Sequence, residues 1–218
     1  MTRKEYIITA MDNYELQVDI AKKLFLQYDQ GLLTEKFGLQ AEENYLYLTY
    51  LNTPCRLCRK TGAVEEYKGT LWQECRQYST VMTVYDLLCH NKGTTLPTLA
   101  NRWCTVGTFI VAGVSETEDF TRKYAAFFDG RLDALWAACE ALGGVFQERM
   151  AGADLTCKFP VTAFFSVLLQ FWEGDEEFSP RVLLLWDQNT MDFMHFETTF
   201  YLQGDLLGRL KDQMEGLL

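Results

Sequence analysis

Apolar residues recur along the chain with two different periods, which predict where helices and strands lie. From Leu16 to Tyr28 they return every four positions, as on one face of an amphipathic helix. The segment Thr9-Ala-Met-Asp12 resembles a capping box, a hydroxyl residue followed three positions later by an acid. We therefore predict a first helix that begins near Thr9 and ends at Gly31.

The middle of the chain alternates between the two periods. Tyr, Leu and Thr residues alternate over residues 44–67, which predicts two or three paired strands. Helical spacing then predicts helices over residues 81–92, 119–128 and 131–142. Ser115–Glu118 is a capping signature for the second of these helices.

Strands return in the last third of the chain. Residues 153–159, 161–172 and 181–187 are predicted strands, and the last two are apolar enough to be covered on both faces. Leucines at helical spacing predict a final helix within residues 197–218. The interleaved elements predict one α+β domain over residues 1–218, with a mixed or antiparallel central sheet, helices packed around it and a C-terminal helix.

The net charge of the chain restricts the classes of partner that it is expected to bind. The 218 residues carry a net charge of −10, which argues against nucleic acid and against an anionic membrane surface as partners. Residues 173–218 hold ten acids and three bases, so they carry most of the imbalance. No signal-peptide core opens the sequence, and the longest apolar run is too short to span a bilayer. A cytoplasmic location is therefore expected.

Four carboxylates stand between the two most apolar predicted strands. We call Glu173, Asp175, Glu176 and Glu177 the acidic crest, and we predict that it occupies a hairpin loop. One interpretation is a solvated turn. The other is a binding surface for a cation, a basic ligand or a protein partner with a basic surface, because clustered carboxylates repel one another until such a group relieves them.

Asp187 and His195 are further candidates for ligand or partner binding. Asp187 ends the second apolar strand, so a strand's rise places it at the opposite end of the sheet from the crest. His195 lies between apolar residues and is expected to be partly buried. The sequence contains two histidines and none of the common nucleophile, phosphate-loop or zinc-protease motifs, so no catalytic residue is assigned.

Cys55 and Cys58 form a Cys-x-x-Cys pair and are the candidate metal ligands. A zinc site usually takes four ligands from two such pairs, and no second pair follows. Their segment is predicted to be a strand, in which positions 55 and 58 point to opposite faces. The neighbouring arginines favour the thiolate, so redox chemistry stays open.

The C-terminal third resembles a known family. Residues 168–210, LLQFWEGDEEFSPRVLLLWDQNTMDFMHFETTFYLQGDLLGRL, are similar to the signature of bacterial and archaeal domain-of-unknown-function family 3786, with its acidic crest, second strand and final helix. Upstream, VYDLLCHNKG resembles the family's middle helix. The resemblance implies a single α+β domain and no particular activity. Some members carry a four-cysteine iron–sulfur domain or occur beside corrinoid-dependent methyl-transfer proteins, whereas this chain lacks the cysteine domain.

Two classes of function follow. The first is a non-catalytic binding or accessory module that meets a protein or cofactor-bearing partner through the acidic crest and the C-terminal helix, in anaerobic corrinoid or iron–sulfur metabolism if the family analogy holds. The alternative is a metal- or thiol-redox-dependent enzyme that uses Cys55 and Cys58. A structural subunit of a larger complex is a variant of the first class. The cofactor and the oligomeric state are not predicted.

Overall fold

The structure is a computed structural model that describes residues 3–109, 118–148 and 150–216. Within these residues the chain forms six α-helices and ten strands. The elements are, in chain order, α1 (Arg3–Gln27), α2 (Gln30–Phe37), β1 (Gln40–Ala41), β2 (Tyr45–Tyr50), β3 (Thr53–Cys58), β4 (Val64–Lys68), β5 (Leu71–Glu74), α3 (Tyr78–Cys89), β6 (Trp103–Thr105), α4 (Glu118–Phe128), α5 (Leu132–Ala141), β7 (Val145–Phe146), β8 (Leu155–Thr162), β9 (Phe165–Trp172), β10 (Arg181–Asp187) and α6 (Phe196–Met214). Single 3₁₀ turns occupy Val106–Phe109 and Thr190–Asp192.

The strands form two antiparallel five-stranded sheets. The first has the order β1-β2-β3-β4-β5 and the second the order β6-β10-β9-β8-β7. The predicted α+β class, with antiparallel pairing and a C-terminal helix, is confirmed. The strands expected in one central sheet are divided between two sheets. Among the described helices, none combines the length and the apolar character needed to cross a membrane.

The contacts between residues divide the chain into two compact units. Unit 1 comprises residues 1–48, 54–97 and 192–201, and unit 2 comprises residues 49–53, 98–191 and 202–218. Each unit has its own buried apolar residues. Those of unit 1 include Phe25, Leu33, Leu46, Leu57, Val84 and Leu88, and those of unit 2 include Phe128, Leu135, Phe159, Leu169, Trp186 and Leu206. That one domain extends over residues 1–218 stays a prediction.

The ends of the first helix differ from the prediction. Helix α1 begins at Arg3, so Thr9 lies inside it and does not cap it. It ends at Gln27, and Gly31 belongs to the first turn of α2. The carboxylate of Asp29 caps α2 by accepting hydrogen bonds from two backbone N–H groups of that turn. The prediction used Gly31 as a helix end and did not identify Asp29, two residues earlier, as the N-cap of α2.

The buried face of α1 also differs from the apolar stripe in the sequence. Leu16 and Ile20 are 57% and 58% exposed, while Phe25 is fully buried. The helix therefore buries Phe25 and leaves Leu16, Ile20 and Leu24 of the predicted stripe exposed, while Tyr28 is half-buried.

One predicted strand contains a turn. The apolar run over residues 161–172 begins with the last two residues of β8, and residues 163–164 form a tight turn before β9 starts at Phe165. Thr162 pairs with Phe165 across this turn. No glycine or asparagine marks the turn, so apolar continuity hid it. The capping signature at residues 115–118 lies outside the residues whose side chains the structure describes.

The second sheet carries the segments that concern function. Every residue of β9 except Trp172 is buried, as predicted for a central strand. In β10 buried and half-buried residues alternate, so only one of its faces is fully covered. Helix α4 packs against β10, and the loop between β9 and β10 holds the acidic crest.

Candidate binding site

The acidic crest is the tip of a hairpin. Strands β9 and β10 pair antiparallel, with Trp172 opposite Arg181, and residues 173–180 form the loop between them. This placement agrees with the predicted hairpin. Pro180 stands just before the first residue of β10, where the ladder needs no N–H from it.

Hydrogen bonds to carboxylates fix the shape of the loop. The Asp175 Oδ1 atom accepts from the N–H groups of Glu177 and Phe178, at 2.8 and 2.7 Å. Two acids outside the loop hold its first residues, since Asp129 accepts from the Gly174 N–H and Asp154 from the Glu173 N–H, each at 2.9 Å. Asp175 therefore builds the turn.

Two of the other three crest residues face solvent, and Glu173 is half-buried. Glu176 and Glu177 are exposed, and Phe178 beside them is 70% exposed. Among the described residues, no ion pair joins the crest to a lysine or arginine. The crest thus presents unneutralised negative charge next to a large exposed aromatic ring.

A cleft of about 380 Å³ lies in the same unit, and we call it the hairpin cleft. Its walls come from the hairpin arm, β10, α4, the 3₁₀ turn before α4, and α6. Its lining residues are Val106, Thr121, Arg122, Ala125, Ala126, Ser179, Pro180, Arg181, Val182, Leu183, Leu184 and Gln203. Ser179 and Pro180 also border the open depression at the acidic crest, so the crest and the cleft are continuous along the loop.

Gln203 is a buried polar residue in the wall of the cleft. Its side chain comes from α6 and is 3% exposed, and its Nε2 atom has no hydrogen-bond partner within the part of the chain that the structure describes. In the described residues one other buried side-chain atom, Nε1 of Trp186, is in this state. An unsatisfied buried donor costs about 1–3 kcal/mol, so a ligand that accepts from Nε2 would recover this energy.

Asp187 lies at the opposite end of β10 from the crest, as expected. It is 1% exposed, and its carboxylate accepts from three backbone N–H groups. Two of these belong to Ala100 and Asn101, at 2.9 and 2.6 Å, and the third to Asn189. These contacts anchor the segment before β6.

His195 lies in unit 1, just before α6, and its side chain is 65% exposed instead of partly buried. Its Nδ1 atom is 2.6 Å from Asp86 Oδ1 and 3.2 Å from Nδ1 of His90. Asp86 and His90 are four residues apart at the end of α3, so they share one helix face. The structure therefore brings His195 to two residues that sequence reasoning did not connect with it.

The two candidate metal-binding cysteines point to opposite sides of β3. Cys55 is buried and Cys58 is half-buried, and neither forms a disulfide bond within the described residues. Partial burial of Cys58 favours its neutral form, yet hydrogen bonds from the Thr61 hydroxyl and from the backbone N–H groups of Thr61 and Lys60 lower its pKa below the ordinary value. In contrast, burial and the charge of Asp86 raise the pKa of Cys89 to about 12.

Gln203 and the α3 residues are what the sequence reasoning missed. A signal for Gln203 existed, because it stands three, four and seven positions before Leu206, Leu207 and Leu210, in the apolar stripe of α6. A polar residue in such a stripe marks either a satisfied core amide or a ligand contact. The meeting of Asp86 with His195 had no local signal.

Taken together, the elements define an antiparallel α+β protein with a cleft beside an acidic hairpin. The sequence profile described as "Domain of unknown function (DUF3786)" matches residues 29–209, so the chain belongs to this family. The resemblance noted over residues 168–210 is thereby confirmed and extends over most of the chain. Neither a curated protein nor a solved structure matches the sequence.

Proposed function

We propose that the protein is a non-catalytic binding module for a protein partner. The partner would present an apolar side chain, which we call the anchor, next to basic residues, which we call the basic flank. The anchor enters the hairpin cleft, and the basic flank meets the acidic crest. The observation that carries this proposal is the buried Nε2 atom of Gln203 in the cleft wall, which has no hydrogen-bond partner among the described residues. A backbone carbonyl next to the anchor would accept its hydrogen bond.

The size and lining of the cleft support an apolar anchor. Its volume of about 380 Å³ lies within the range of about 300–1,000 Å³ typical of ligand sites. Val106, Ala125, Val182 and Leu184 supply apolar surface. Phe178 is exposed beside the cleft and can cover an inserted side chain.

The charges support a basic flank. Glu176 and Glu177 are exposed and unpaired by cations of the described residues, so their field extends into solvent. Charge complementarity of this kind raises association rates and selects against acidic partners. The same field disfavours nucleic acid.

Affinity purification from a lysate of the source organism tests the proposal when each contact is altered separately. Ala126→Trp places a large ring at the exposed mouth of the cleft, and Ala134→Trp makes the same change on the exposed face of α5 as its control. Glu176→Gln with Glu177→Gln removes crest charge but keeps Asp175, which builds the turn. Asp133→Asn with Glu140→Gln is the charge control on α5.

We expect the same protein to be recovered by the unaltered chain and by both controls, and to fall at least about tenfold with the cleft and crest variants, because loss of about 1.4 kcal/mol reduces affinity tenfold. Lower recovery from the crest variant should be reproduced by added salt, since surface charges are screened. Equal recovery by all five proteins would refute the proposal.

A further inference from the structure

We propose that Asp86, His90 and His195, which we call the Asp-His-His cluster, bind a divalent first-row transition metal ion. The three side chains belong to unit 1. Their donor atoms all lie within 4.8 Å of one another. This inference uses none of the residues of the hairpin cleft, so it stands or falls separately from the partner-binding proposal.

The composition of the cluster is the first argument. The chain has two histidines, and they lie 105 positions apart in the sequence, yet their rings meet with centroids 4.2 Å apart and planes at 84°. Two imidazoles and one carboxylate form a ligand set that suits zinc, iron(II) and cobalt(II). Harder cations such as Mg²⁺ and Ca²⁺ prefer oxygen ligands alone.

The spacing of the donor atoms is the second argument. Metal–imidazole bonds measure about 2.0–2.1 Å, so two nitrogens on one metal lie about 2.8–3.0 Å apart at octahedral angles and about 3.3–3.4 Å apart at tetrahedral angles. The Nδ1 atoms of His90 and His195 are 3.2 Å apart. The Asp86 Oδ1 atom, 2.6 Å from the His195 nitrogen, needs to move back by a few tenths of an ångström to share the ion.

The Asp86 carboxylate is held in place by contacts of its Oδ2 atom, which leave Oδ1 facing His195. The Asp86 Oδ2 atom accepts from the His195 backbone N–H at 2.7 Å and from the Thr198 hydroxyl at 2.6 Å. These bonds fix the start of α6 to α3 and orient Oδ1 toward His195. Metal-binding carboxylates generally have such outer partners, which set ligand direction before the ion arrives.

The metal would have room for an additional ligand. Asp86 and His195 line a second cleft, of about 210 Å³, together with Leu24, Glu197 and Tyr201. Three protein ligands leave at least one coordination position free. The cleft therefore fits a small molecule that offers an oxygen or nitrogen donor to the metal and places an apolar or aromatic part against the leucine and tyrosine.

Zinc itself is the probe for the first test. Metal-free protein is titrated in competition with a chromophoric chelator, and cobalt(II) is added separately to record the absorption spectrum. The variants are His90→Gln and His195→Gln, the latter at a side chain that is 65% exposed and does not support the core. The controls are Cys58→Ser, which removes the candidate thiol whose pKa is lowered, and the double crest variant Glu176→Gln with Glu177→Gln.

We expect one zinc ion per chain, and a loss of affinity of more than about 100-fold in each histidine variant, because even changes around metal ligands cost about 10–100-fold. The controls should bind as the unaltered chain does, and cobalt should show no thiolate charge-transfer band. Unchanged binding in the histidine variants, loss in Cys58→Ser, or absence of stoichiometric binding overturns the proposal.

Nuclear magnetic resonance provides a readout that needs no variant. Since the chain has two histidines, the imidazole region contains two ring systems. Both should shift together and stop shifting at one equivalent of zinc. If the cluster is only a hydrogen-bonded Asp–His pair, both rings stay unchanged when zinc is added, and the proposal is wrong.

Discussion

Cys58 and Cys104 are both half-buried, but their surroundings act on the thiol in opposite directions. Hydrogen bonds around Cys58 overcome the effect of partial burial and lower its pKa. Burial dominates at Cys104 and raises its pKa, although the Thr108 hydroxyl opposes the change. Below both pKa values the thiolate fraction, and with it the rate of alkylation, is therefore higher at Cys58.

We predict that iodoacetamide near neutral pH alkylates Cys58 before Cys104. The advantage should be about threefold per unit of pKa difference, because a lower pKa also reduces the nucleophilicity of each thiolate. Mass spectrometry of timed samples measures both rates in one protein. Thr61→Val removes a hydrogen bond to the Cys58 sulfur and should slow Cys58 alone. Equal rates at the two cysteines would contradict this account of the Cys58 environment.

Single residues also show where sequence reasoning succeeds. The position of the acidic crest followed from local pattern, because two apolar runs around a glycine-containing polar loop specify a hairpin. The contact of Asp86 with His195 joins residues 109 positions apart and depends on how α3 and α6 pack. No periodic pattern or sequence motif relates residues so far apart in the chain, so only the structure shows this contact.

Within elements, helix α6 carries a buried ion pair that its leucine pattern does not reveal. Asp205 and Arg209 are four residues apart on the helix, and Nε of Arg209 lies 2.9 Å from Oδ1 of Asp205. The Arg209 side chain is 9% exposed and the Asp205 side chain 5%. The other Asp205 oxygen accepts from the Tyr50 hydroxyl at 2.9 Å. Removing the carboxylate leaves the guanidinium buried without this counter-charge.

We predict that Asp205→Ala lowers the free energy of unfolding by about 3–5 kcal/mol, the cost of breaking a buried pair from one side. Urea unfolding at 25 °C measures the change. The matched control is Glu215→Ala, which breaks the 3.7 Å ion pair with Lys211. The Lys211 side chain is 41% exposed and the Glu215 side chain 37%. That variant should stay within about 0.5 kcal/mol of the unaltered chain. A loss at Asp205 no larger than at Glu215 would show that the buried pair contributes little.

The presence and type of the helices and strands were predicted better than the residues at which they begin and end. The helices α3, α5 and α6 and the strand β10 appear where periodicity placed them, because each presents one clear apolar face or a continuous apolar run. Strand β9 is the second part of a longer predicted strand. Helix α1 departed from its pattern, since Leu16, Ile20 and Leu24 of its apolar stripe are exposed and Phe25 is buried. Which face of a helix is covered depends on its neighbours, and the sequence of the helix alone does not contain them.

At the scale of the whole molecule, neither compact unit is a continuous piece of chain. Each is assembled from three segments, and α6 supplies residues 196–201 to unit 1 and residues 202–214 to unit 2. Hydrophobic periodicity identifies elements but not the unit to which each belongs. The sequence therefore predicted an α+β protein without predicting this division within its last helix.

This division makes a specific prediction about truncation. A stop codon after Tyr201 removes four leucines of unit 2 that are fully buried, Leu202, Leu206, Leu207 and Leu210. Loss of a buried leucine side chain typically costs about 2–5 kcal/mol, so four such losses match or exceed the usual total stability of about 5–15 kcal/mol. We expect unit 2 to be unfolded in the truncated protein.

Tryptophan fluorescence measures this outcome, because four of the five tryptophans, at positions 103, 136, 172 and 186, belong to unit 2. Their emission should move toward that of the urea-unfolded chain, most of all through Trp186, which is fully buried in the complete protein. A stop after Glu215 keeps all four leucines and should leave the emission native. If the chain that ends at Tyr201 also kept native emission, the core of unit 2 would not depend on α6, and the assignment of residues 202–214 to that core would be wrong.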